Sequence, residues 1–164
     1  MQATPSASSK KRMSPYTSFL LFNFVFFMLD TTASYFQIYL SDIGLSKTMI
    51  GTITGTASLV ALFFQPIFGA AADASKSKTR ILQLLLLITA ILYPMLLLNN
   101  SMVYILIVYT LFVVFRRFQP SLNTTMSVEY SEQSGKPYGP IRMMGAVGYA
   151  LMMMAISQIA GKLG

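Results

Sequence analysis

The chain has 164 residues, 54% hydrophobic and only 10% charged, with a net charge of +7. Soluble domains carry about a quarter charged residues, so this balance excludes a water-soluble globular domain. It has no cysteine and no histidine, which removes disulfides, thiolate metal sites, the commonest metal ligand and the usual neutral-pH base, and no cofactor is expected.

Residues 1–14 are Ser-rich and hold Lys10, Lys11 and Arg12, which predicts a disordered cytoplasmic tail. Five apolar blocks follow, at 17–40, 49–72, 81–98, 102–130 and 139–163. A bilayer core of about 30 Å needs about 20 helical residues, and blocks without two-residue alternation form helices rather than barrel strands. The fold class is therefore an all-α polytopic membrane protein, with one transmembrane domain of five helices over 15–164. The first block is too long for a signal-peptide core and lacks a small-residue cleavage site, so it reads as a true span. Pro66 and Pro94 fall inside blocks, where neighbouring helices can satisfy the freed carbonyls.

Loop charges set the orientation. Lys10, Lys11 and Arg12, then Lys76, Lys78 and Arg80, then Lys136 fall on one side, against Lys47 and Lys162 on the other. The positive-inside rule places the amino terminus in the cytoplasm of a multi-pass cell-membrane protein. Cations split among separate loops do not make a nucleic-acid surface, and the lipid bilayer is the expected environment.

Polar residues recur within two spans. Asn23, Asp30 and Gln37 follow one another at seven residues in the first, and Arg116, Gln119, Asn123 and Ser127 at three or four in the fourth. Each set shares one helix face, read here as facing water. Asp30 and Arg116 both lie about 20 Å deep at roughly 1.5 Å per residue, a depth at which they could meet. A charge there costs about 2.5–3.5 kcal/mol and calls for a partner or an aqueous pocket. The pair reads as proton-coupling, with an architectural ion pair as the alternative. Arg117 projects about 100° further round the helix. Gly51 and Gly55 have the spacing of a close helix contact, and the Met-rich stretch at 151–155 reads as lipid-facing or gap-filling.

Two stretches carry a resemblance. Gln65, Pro66, Gly69 and Asp73, followed by basic residues, are similar to the signature loop between helices two and three of the major facilitator superfamily. The stretch YGPIRMMGAVGYA, residues 138–150, resembles the start of the fifth helix in the lactose permease and the related oligosaccharide and proton symporters. The resemblance implies a gate built from Gly69, Asp73, Lys76, Lys78 and Arg80. Ala74 and Lys76 stand where the family pattern usually has a basic residue and a glycine. It also implies a substrate site near midplane at Arg142, with Asn123, Gln37 and Arg117 from the polar faces. Asn123 stands about where the permease has an acid. Asp30 facing Arg116 resembles the proton coupling of other sugar porters.

The implied function is proton-coupled symport of a sugar or similar small polar solute by alternating access. A drug or metabolite exporter of the same superfamily is the first alternative, and a non-transporting membrane subunit the second. Members have twelve helices in two halves, so a chain with five is expected to lack its sixth helix and its carboxyl-terminal half.

Overall fold

A computed structural model describes residues 14–32, 35–75, 77–99 and 101–163. The expected tail therefore lies outside the described residues except for Ser14, as does Lys76 of the expected gate. The described elements are six helices: α1 (Pro15–Thr32), α2 (Phe36–Asp42), α3 (Lys47–Ala74), α4 (Lys78–Met95), α5 (Met102–Ser134) and α6 (Tyr138–Leu163). No strand occurs among the described residues. Among the described residues five spans are long and apolar enough to cross a membrane: Pro15–Asp42, Lys47–Ala74, Lys78–Met95, Met102–Ser134 and Tyr138–Gln158. The first of them contains both α1 and α2.

Local chemistry sets the helix ends. Pro15 opens α1, where its missing N–H costs nothing. Ser46 caps α3 by accepting from the Met49 N–H at 3.3 Å. The Tyr104 hydroxyl donates to Met95 O at 2.8 Å, covering one of the carbonyls left open at the end of α4. Gly135, at φ 65°, takes the left-handed conformation that stops α5. With 33 residues, α5 rises about 50 Å and overruns the hydrocarbon, so its last turns carry Glu129 and Glu132.

The described residues form two compact units, one within residues 1–30 and 139–164 and the other within residues 31–138. In the first, α6 lies against α1. A Cβ added at Gly145 would meet the Phe27 ring at 2.5 Å, and one at Gly148 would collide with the Phe24 carbonyl oxygen. Phe27 in turn meets Phe26 edge-on at 5.2 Å. The helix backbones come this close because two side chains are missing.

In the second unit α5 runs along both α3 and α4, and α2 leans on α3. Its core joins Phe36, Leu40, Ile53, Ala57, Leu96, Ile105, Val108, Tyr109 and Phe112. The Phe36 and Tyr109 rings stack at 4.9 Å. On α3 the buried ridge is Ile53, Ala57 and Ala61, spaced by four. Among the described residues Gly51 and Gly55 are exposed and would meet nothing within 4 Å if given a Cβ, so no described helix uses their spacing for a close contact. The glycine spacing is present, but α3 is rotated so that the alanine ridge is buried instead.

Candidate functional site

Two faces of α5 carry the polar residues, and they differ in kind. Gln119, Asn123 and Ser127 are buried. Gln119 Nε2 donates to Leu85 O and to Thr89 Oγ1 of α4, each at 3.0 Å. Thr89 Oγ1 donates back along its own helix to Leu85 O at 2.9 Å. The stripe read from the sequence as facing water is thus dry at Gln119, where it clasps α5 to α4. Interhelical hydrogen bonds of this kind hold helices together where lipid offers no hydrophobic drive. Asn123, at 1% exposure, is closed off among the helices.

The exposed side of α5 changes character along its length. It is apolar at Val103, Ile107 and Leu111, and polar at Arg117, Ser121 and Thr125, which recur every four residues. Arg117 Nη2 donates to Ser58 Oγ of α3 at 3.4 Å. Arg116, one residue earlier, is half-buried. Both guanidinium groups lie within electrostatic reach of the Tyr109 hydroxyl, about two turns back on the same helix. The second unit therefore gathers Ser58, Tyr109, Arg116 and Arg117 in one neighbourhood.

The other expected site residues fall in both units. Asp30, half-buried near the end of α1, belongs to the first unit, whereas Arg116 belongs to the second. Gln37 is exposed on α2. Arg142 is exposed on α6 and holds its guanidinium 5.2 Å from the centre of the Phe27 ring, a cation–π contact inside the first unit.

At the signature loop, Asp73 and Arg80 are exposed, and Gly69 would meet nothing within 4 Å if given a Cβ. Lys78 donates from Nζ to Glu129 Oε1, tying the first turn of α4 to the last turns of α5. Sequence reasoning named Lys78 but not Glu129. Glu129 stands at the end of the fourth span that shares the cationic side with the loop, and that was the available signal. Among the described residues no group of His, Cys, Asp or Glu could hold a metal ion.

Residues 16–162 match the model of the MFS_1 like family. The chain belongs to the major facilitator superfamily. It is 30% identical over 154 residues to a protein named raffinose permease from Escherichia coli, which covers 89% of the chain and 36% of that relative. It is 24% identical over 155 residues to a maltose permease from Geobacillus stearothermophilus, with 94% and 38% covered. An uncharacterized transporter, YwbF, from Bacillus subtilis is 25% identical over 119 residues, with 73% and 30% covered. The chain thus spans about a third of the length of these curated relatives. No solved structure gives a significant match.

Proposed function

We propose that the protein is a secondary active transporter that carries a sugar or similar small polar solute together with protons by alternating access. It would sit in the cell membrane with its amino terminus in the cytoplasm. The observation that carries this reading is the family match over residues 16–162, which takes in all five spans. The names maltose permease and raffinose permease borne by two relatives support a sugar as the solute.

Transport changes no bond in the solute, so the assigned roles are electrostatic and steric. Asp30 is the proposed proton carrier and Arg116 its cationic counterpart. A carboxylate whose exposure to water and to a guanidinium alternates with conformation takes up and releases protons in step with that change. Arg142, Gln37 and Arg117, all exposed, are proposed to face the solute, and Asn123 to meet it only when the helices part. Gly69, Asp73, Lys76, Lys78 and Arg80 are proposed as the cytoplasmic gate, with the Lys78–Glu129 pair as one of its latches.

The test is uptake of labelled maltose and raffinose by the full-length protein in proteoliposomes under a pH gradient. Asp30→Asn should abolish accumulation while leaving equilibrium exchange. Accumulation that survives the substitution rules out Asp30 as the carrier.

A further inference from the structure

Arg142 and Gly145 lie three residues apart on α6, so they share one side of the helix, and both meet the same α1 side chain. That side chain is Phe27. Its ring has the Arg142 guanidinium carbon over it at 5.2 Å from the centre. A Cβ built on Gly145 would stand 2.5 Å from Cδ2, 3.0 Å from Cε2 and 3.3 Å from Cγ of that same ring. One edge of the phenyl group therefore fills the notch that the glycine leaves.

Phe26 adds a second wall, since its ring, 5% exposed, meets Phe27 in a T-shaped arrangement at 5.2 Å with the planes 86° apart. Seated by Gly145 and flanked by Phe26, the Phe27 ring keeps a face for Arg142. All four residues belong to the unit that holds α1 and α6.

An arginine has several free torsions, and Arg142 is exposed, so a solute that binds it unheld must first order it. The ring quadrupole attracts the charge through the aromatic face and uses none of the five N–H donors of the fork. A guanidinium held this way is placed without committing its hydrogen bonds.

We infer that Phe27 is the positioning residue of the solute site: its ring, seated by Gly145, holds the Arg142 guanidinium in the place from which it hydrogen-bonds the solute. This rests on the reading of Arg142 as solute-binding given above and adds the group that preorganises it. Phe27 acts only through Arg142, and Gly145 acts only through Phe27.

The experiment is counterflow exchange of labelled maltose and raffinose at neutral pH by the full-length protein in proteoliposomes, with half-saturation and maximal rate measured separately. Replacing Phe27 by phenylalanines carrying successively more ring fluorines keeps the shape and drains charge from the face. Half-saturation should rise stepwise to about three-fold, at unchanged maximal rate and melting temperature. Phe27→Tyr should stay within about two-fold of the parent, and Phe27→Leu should weaken binding about five-fold. Gly145→Ala, which turns the ring, should weaken it about three-fold. A half-saturation that ignores fluorination, while Arg142→Gln raises it about ten-fold, overturns the inference and leaves Arg142 as a solute ligand. A weakening that follows melting temperature instead of fluorine count does the same. Half-saturation unchanged by Arg142→Gln overturns that ligand role and the inference with it, and a parent protein that exchanges neither sugar overturns the sugar reading as well.

Discussion

The α1–α6 seam and the α4–α5 seam both hold helices together where lipid, as apolar as any Leu, supplies no hydrophobic drive. They do so with opposite means. Between α1 and α6 the device is an omission, since Gly145 and Gly148 leave room for Phe27 and for the Phe24 backbone. Between α4 and α5 it is an added polar group, Gln119, which reaches Leu85 O and Thr89 Oγ1. Contact by omission tolerates no added atom. A hydrogen-bonded clasp gives way in proportion to the bonds removed.

Substitution at Gly148 should show the largest effect, because the obstacle there is backbone and cannot swing aside. Gly148→Val is expected to cost about 3 kcal/mol, read as a lowered melting temperature of the detergent-solubilised protein. Gly145→Ala meets a phenyl ring that can turn, so it should cost about 1 kcal/mol. Gly55→Ala, with open space around it, should change stability by less than about 0.5 kcal/mol. A Gly148→Val protein that melts with the parent would show that α6 does not depend on a close seam.

The clasp should yield less. Gln119→Leu keeps the bulk and removes two hydrogen bonds, for an expected loss of about 1 kcal/mol. A double-mutant cycle with Thr89→Val isolates the Gln119–Thr89 bond, with an expected coupling of about 0.6 kcal/mol. Zero coupling would reduce the clasp to simple packing.

The smallest effect belongs to Lys78 and Glu129. The Glu129 side chain is 43% exposed, so water screens the pair, and Lys78→Ala should cost about 0.5 kcal/mol or less. That difference should vanish in about 1 M salt. A larger loss that persists in salt would mean the pair contributes more than its exposure implies.

What could be read without coordinates divides along a physical line. The five spans and the superfamily were legible, because span length and mean apolarity are summed along the chain, and motifs such as Gln65, Pro66, Gly69 and Asp73 are local strings. Helix rotation was not. Gly51 and Gly55 have the spacing of a contact, yet the buried ridge is Ile53, Ala57 and Ala61. Gln119 has the look of a cavity residue on paper, yet it is spent on α4. Glu129 drew no attention in the sequence because its partner, Lys78, is 51 residues away.

The sequence by itself determined that this chain spans a membrane five times as helices, since a backbone in lipid must satisfy its own hydrogen bonds and the apolar blocks have the length to do so. Tertiary structure alone decided which side of each helix is spent on a neighbour and which is left open. That choice between Gln119 and Arg117 on α5 turns on helix rotation of a fraction of a turn, set by the fit of neighbouring surfaces rather than by the order of residues along one strand of chain.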